Sequence, residues 1–253
     1  MVPGYKKIDL HIHTTRSACY EDYMSPHLHL NTQPEDIIEG AIAAGLDAIA
    51  ITDHNCALGV EDIRRVAGRN GLHIFPGMEI TARGGHVLAI FDEDTPISLL
   101  NEFLEELGFT PDQYGDAFFE TKVWIDEVFR MVAERGGLSV ASHIDRWSRG
   151  FIASGESRSD KLRIHNSEYL SAMEITDPRD KARWSKGLMP HFPRPRPCVQ
   201  GSDAHAPKEM GRRPTYLDVP RADFDGLRLA FREYATRIWF PHELEDWPEP
   251  LEG

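Results

Sequence analysis

The segment Asp9-Leu10-His11-Ile12-His13 constrains this chain more than any other. It sets two histidines two positions apart inside an apolar run. Side chains at i and i+2 of a strand leave the same face, so a strand over residues 8–13 aims both imidazoles at one point. Neutral imidazole is the commonest metal ligand that proteins supply. Four later segments add weight, because each closes a short apolar run with a metal-ligating residue type. They are Thr52-Asp53-His54, Gly77-Met78-Glu79 followed by His86, Ser142-His143, and Ser202-Asp203-Ala204-His205.

The surrounding pattern is one of short strands alternating with helices. Apolar runs predict strands over residues 8–13, 46–52, 73–81, 86–91, 138–142, 172–176, 198–201, 216–219 and 237–240. Helical periodicity predicts helices over 34–45, 61–70, 97–107, 121–136, 180–186 and 223–234. Arg83-Gly84-Gly85 reads as the turn of a hairpin over 79–91. Residues 154–159 and the proline-rich 190–197 read as loops. Repeated β-α units imply an α/β protein with a mainly parallel sheet covered by helices. If such a sheet closes into a barrel, the polar residues at its strand ends share one rim. One domain over residues 1–246 is expected, with 247–253 a frayed tail rich in Pro and Glu.

Composition narrows the setting. A chain of 253 residues with 41% hydrophobic content suits one large α/β domain. No apolar run reaches the length of a membrane span, and residues 1–7 do not lead into the long apolar stretch of a signal peptide. Three cysteines give no disulfide framework, so a reducing cytoplasm is expected. A net charge of −13 argues against tracking along duplex nucleic acid. Between Arg146 and Arg213, however, Lys and Arg outnumber Asp and Glu. That segment is either a phosphate-binding surface or a solvated loop region.

Several residues are set aside. His27 and His29 repeat the His-x-His spacing but precede a helix in a loop. His73, His165, His191 and His242 have no partner segment. Cys56 and Cys198 read as small buried hydrophobes. Trp124 and Phe129, with Phe118 and Phe119, read as helix core packing. Asp9 stands either to orient an imidazole or to sit solvated at a strand edge, and Asp53 to support His54.

Taken together, Asp9-Leu10-His11-Ile12-His13-Thr14, Ile51-Thr52-Asp53-His54, Gly77-Met78-Glu79, Ser142-His143 and Ser202-Asp203-Ala204-His205 resemble the motifs of the PHP (polymerase and histidinol phosphatase) family. The resemblance runs from Asp9 to about Ile238. It implies a distorted (β/α)7 barrel holding two or three divalent ions, manganese, iron or zinc. By that resemblance His11, His13, Glu79 and Asp203 hold one ion, Glu79, His86 and His143 a second, and His54 with His205 a third. The family's third site usually adds an Asp or His near position 18 or 19. This chain reads Ser17-Ala18-Cys19-Tyr20-Glu21-Asp22, so Cys19, Glu21 or Asp22 is left as the further ligand.

The implied chemistry is hydrolysis of phosphate esters by a metal-activated water. His54 and His205 are the candidate proton donors if the third ion is absent. Arg146, Lys208, Arg212 and Arg213 are the candidate phosphate-binding residues, with Arg146 also close to the reacting centre. Similarity of residues 201–205, 211–219 and 224–230 to PHP modules attached to larger ATP-binding proteins favours a nucleotide or a nucleic-acid end as substrate. A 5′-3′ exonuclease acting on phosphodiesters is the alternative enzyme. A non-catalytic PHP module and a metal-sensing or storage protein are the readings outside catalysis. The sequence does not set the oligomeric state.

Overall fold

The computed structural model describes residues 4–20, 32–68, 71–147 and 149–244. The His-x-His strand, β1 (Lys6–Ile12), lies parallel to β2 (Ala48–Ile51), and β2 lies parallel to β3 (His73–Arg83). The chain reverses at Gly84, whose φ of 98° suits glycine. It returns as antiparallel β4 (Gly85–Ile90), the hairpin expected from Arg83-Gly84-Gly85. The short β5 (Thr121–Trp124) flanks β3. Then β4 pairs with β6 (Leu138–Ala141), β6 with β7 (Ala172–Glu174), and β7 with β8 (Cys198–Val199).

Beyond β8 the chain passes Gly201 and reaches a parallel bridge between Ala204 and Ile12. The circuit β1-β2-β3-β4-β6-β7-β8 is thereby almost closed, and the sheet takes the expected barrel shape. Two antiparallel strands, β9 (Thr215–Leu217) and β10 (Ile238–Trp239), extend it outward from β1.

Helices cover the barrel where apolar stripes let them. They are α1 (Pro34–Ala43), α2 (Leu58–Val66), α3 (Ile97–Glu106), α4 (Ile125–Glu134), α5 (Arg158–Asn166), α6 (Lys181–Ser185), α7 (Phe224–Arg232) and α8 (Tyr234–Arg237). α4 buries Ile125, Val128, Phe129 and Val132, the i, i+3, i+4, i+7 face of an amphipathic helix. α7 starts at Asp223, whose carboxylate accepts from the Gly226 amide at 2.9 Å.

Two elements differ from the sequence reading. The helix expected over 121–136 begins only at Ile125, because Thr121–Trp124 is held as a strand beside β3. No Gly or Pro separates the two, so the switch leaves no mark in the sequence. The loop expected over 154–159 runs into α5, which Ser157 caps by accepting from the Asp160 amide. That helix buries only Ile164 and His165, too few for a visible stripe. Phe118 and Phe119 are not helix packing either. They precede β5 and are 79% and 44% exposed.

Candidate metal centre

Strand register brings the motif residues to one rim. β1, β2, β6, β7 and β8 deliver residues at or just beyond their C-terminal ends. β4 runs the other way and contributes His86 near its start. The Nε2 atoms of His11 and His13 lie 3.2 Å apart, so the two rings do converge. Glu79 sits at the middle of the cluster, fully buried. Its Oε1 lies 2.9 Å from His86 Nδ1 and 3.0 Å from His143 Nε2. Its Oε2 lies 3.0 Å from His54 Nδ1 and 3.3 Å from His11 Nε2. Asp203 Oδ1 approaches His13 Nε2 at 3.1 Å and His11 Nε2 at 3.3 Å. His205 Nε2 lies 3.0 Å from Cys19 Sγ. Glu21 and Asp22, like His27 and His29, fall outside the described residues.

The backbone is strained where it presents these groups. His143 and Asp203 have φ of 27° and 52°, and Asn55, next to His54, has 46°. Non-glycine residues enter this region at a cost of order 1–3 kcal/mol each and stay there only when their surroundings enforce it. Gly201 contributes by lacking a side chain, since a Cβ there would stand 2.7 Å from His11 Cβ and 3.0 Å from Glu174 Oε1.

Buried carboxylates hold the cluster from behind. Asp53 accepts from the Thr14 amide, the Thr14 hydroxyl and the Ser17 hydroxyl, each at 2.7 Å. Ser17 Oγ in turn lies 3.0 Å from His13 Nδ1. Asp9 is buried and orients no imidazole. It accepts from the Ser202 amide at 3.0 Å and the Gly211 amide at 2.9 Å, tying the loop after β8 to β1. The carboxylate behind His11 is Glu174, 2.8 Å from His11 Nδ1, which also accepts from the His143 amide. The sequence reading missed Glu174. Its signal was an acidic residue inside the apolar run Ala172-Met173-Glu174-Ile175.

Mutual fields set the charges. Burial opposes ionisation of Glu79, but His54, His11 and His86 outweigh it and hold the carboxyl well below its usual range. Burial likewise opposes charging of His11, yet Glu174, Glu79 and Asp203 raise it well above an ordinary histidine. Burial dominates at His54, held well below that value, and at His205, pushed down to about 4. The cluster thus sets ionised carboxylates beside the imidazoles of His54 and His205, which burial keeps neutral, two donor types that borderline divalent ions prefer.

This donor set fits a metal. Glu79 Oε2 and His54 Nδ1 are buried and have no directed hydrogen-bond partner among the described residues. Three groups have ligating atoms that all lie within 4.8 Å of one another: His11, His13, Glu79 and Asp203; His54, Glu79 and His86; and His13, Cys19, His54 and His205.

A cavity of about 360 Å³ opens over the cluster and places Arg146, Arg149 and Phe118 opposite it. Arg146 Nη1 pairs with Asp203 Oδ2. Arg149 donates to the Ala117 carbonyl at 3.0 Å and stacks its guanidinium 4.9 Å from the Phe118 ring centre. Arg149 and Phe118 were not among the expected site residues. Arg212 and Arg213, which were, instead donate to the Ser202 carbonyl behind the cluster, at 2.7 Å and 3.2 Å. Lys208 lines a separate surface depression with Asp36 and Glu39. Lys208 lies in the turn Pro207–Glu209, which follows His205 closely along the chain. The basic stretch is no single patch either: Arg163, Arg179 and Arg183 pair with local acids, and Arg196 is buried against backbone carbonyls.

A nearly closed α/β barrel with a nest of histidines and carboxylates on its rim defines a class of protein with a strand-end metal centre. The family model for the PHP domain matches residues 9–175, and the chain belongs to that family. Among curated proteins it is 27% identical over 137 residues to an uncharacterized protein of Methanocaldococcus jannaschii, covering 54% of this chain and 67% of that one. It is 29% identical over 96 residues to a 5′-3′ exoribonuclease of Haemophilus influenzae, covering 36% of this chain and 31% of that one. Among solved structures, a lesion-specific endonuclease of Pyrococcus furiosus aligns with a TM-score of 0.67 at 21% identity, over 92% of this chain and 57% of that one. An endonuclease Q bound to a 27-mer duplex with an abasic lesion at its active site aligns with a TM-score of 0.68 at 18% identity, over 92% of this chain and 58% of that one. The chain therefore spans little more than half of these endonuclease chains. No helix among the described residues is long and apolar enough to cross a membrane.

Proposed function

We propose that this protein is a metal-dependent phosphoesterase acting on a nucleotide or on a nucleic-acid end. The observation that carries the reading is Glu79, a fully buried carboxylate ringed by imidazoles beneath a cavity that two arginines overlook. His11, His13, Glu79 and Asp203 are assigned to one ion, and Glu79 with His86 and His143 to a second. Divalent ions held there supply Lewis acidity toward phosphoryl oxygens and acidify water near neutral pH.

The chain's own residues do the rest. Glu79 joins the two ligand sets through its two oxygens. Glu174 fixes the His11 ring, and Asp53 through Ser17 supports His13. Arg146 and Arg149 face the cavity and are suited to the non-reacting phosphate oxygens. Phe118 offers an exposed ring at the mouth, on which a base can stack. His54 and His205 are assigned as ligands rather than proton donors, because each places a ring nitrogen in one donor set with His13. The three free cysteines suit a reducing cytoplasm.

The exonuclease reading keeps support from the resemblance to the Haemophilus influenzae exoribonuclease. The test is an assay of manganese-loaded protein on AMP and on a 5′-labelled single-stranded oligonucleotide. Phosphate release from AMP establishes a phosphomonoesterase. Mononucleotides released from the oligonucleotide establish a nuclease. Silence on both with manganese, iron and zinc overturns the proposal.

A further inference from the structure

We propose that Cys19, with His54 and His205, forms a sulfur-containing metal site that selects a thiophilic ion such as zinc, distinct in preference from the nitrogen and oxygen sites around Glu79. The proposal rests on the reading of the rim as a metal centre and concerns the residue at which this chain departs from the family pattern.

Local structure delivers the thiol. Ser17 is pinned by its hydroxyl to Asp53, and the Ala18 amide donates to the Gly115 carbonyl at 2.9 Å. The turn Ala18–Tyr20 follows at once and turns Cys19 toward the rim. Gly115 permits the contact, since a Cβ there would stand 2.2 Å from the Arg16 carbonyl oxygen. Opposite, His13 stacks on His205 with ring centres 4.3 Å apart and lies tilted against His54 at 4.6 Å. Four donors, Cys19, His13, His54 and His205, converge within 4.8 Å, and His54 Nδ1 lacks a directed partner. The other two candidate sets contain no sulfur. Thiolate favours zinc and other soft ions over manganese, whereas the imidazole-carboxylate sets do not discriminate in that way. On binding, the Cys19 S–H bond breaks, the sulfur lone pair bonds the ion, and one proton passes to solvent.

The test is cobalt(II) titration of the full chain after chelation, read by near-ultraviolet thiolate-to-cobalt charge transfer and by ions bound per chain. The expected result is one saturable band, displaced by zinc but not by manganese. It persists in Cys56→Ala and Cys198→Ala, whose buried thiols belong to none of the three donor sets, and vanishes in Cys19→Ser. Cys19→Asp should bind an ion again without the band, with zinc affinity lowered at least about tenfold. A band that survives Cys19→Ser, or ions bound with no band in the wild type, overturns this proposal and leaves the Glu79 centre standing. A chain that binds no ions overturns both.

Discussion

The centre around Glu79 and the cluster around His165 both bury imidazole completely, and they do opposite things with it. His11 is fully buried against three carboxylates, which raise its pKa well above that of an ordinary histidine. His165 is equally buried but packs tilted against Trp184 and edge-on to Phe192, with ring centres 5.7 Å and 5.1 Å away, and with Arg196 bonded to its carbonyl. Burial, with the field of Arg196 added, pushes that imidazole down to about 4 and keeps it neutral. What separates the two imidazoles in this fold is therefore the set of carboxylates beside His11 and the strand end beneath it. Burial does not distinguish them.

The sharpest way to break that contrast is Glu79→Gln, which keeps shape and removes the charge that the imidazoles surround. Phosphoesterase activity should fall at least about 100-fold, the scale of losing one preorganised electrostatic contact. Ions bound per chain, read by elemental analysis, should drop with it. Retained activity at normal ion content would remove Glu79 from the centre.

Glu174→Gln asks the same of a carboxylate that supports rather than ligates. Ion affinity should fall about 10–100-fold, as for other partners of metal-binding histidines, with the fold unchanged by circular dichroism. An unaltered affinity would mean that His11 needs no partner.

Phe118→Ala and Arg149→Ala test the mouth of the cavity. Base stacking contributes about 1–3 kcal/mol, so Phe118→Ala should raise KM for a nucleotide about fivefold or more while sparing kcat. The same variant should leave hydrolysis of a phosphate ester lacking a base unchanged. Equal losses on both substrates would reduce Phe118 to a structural role.

The smallest effect belongs to His165. Its folded pKa of about 4 lies below the ordinary 6.5, so between those values the unfolded chain binds the proton that the fold refuses. Its contribution is complete above pH 6.5 and falls as pH drops toward 4. Denaturant titrations should show a flatter pH dependence across that window in His165→Phe than in the wild type. Parallel curves would show that His165 ionises freely in the fold.

Much of the centre was legible because strand periodicity is rigid. His11 and His13 share a face by spacing, and the Arg83-Gly84-Gly85 hairpin lays His86 beside Glu79. Glu174 was legible in principle, as the one charge in its apolar strand, but no motif drew attention to it. Arg149 and Phe118 were not, because both lie in irregular segments whose direction no period records. Arg212 and Arg213 are close to His205 along the chain, and their guanidinium groups donate to the Ser202 carbonyl, a direction that chain proximity does not record. Asp9 and Asp53 look alike beside their histidines, but Asp9 anchors backbone amides whereas Asp53 holds the Thr14 and Ser17 hydroxyls.

The most direct test of the account is to reload chelated wild type and Glu79→Gln with manganese, and to measure ions bound and nucleotide phosphoester hydrolysis on the same samples. The account predicts at least two ions per wild-type chain, hydrolysis that rises with their binding, and the loss of both in Glu79→Gln. Hydrolysis that proceeds without bound ions, or that survives in Glu79→Gln, would contradict it.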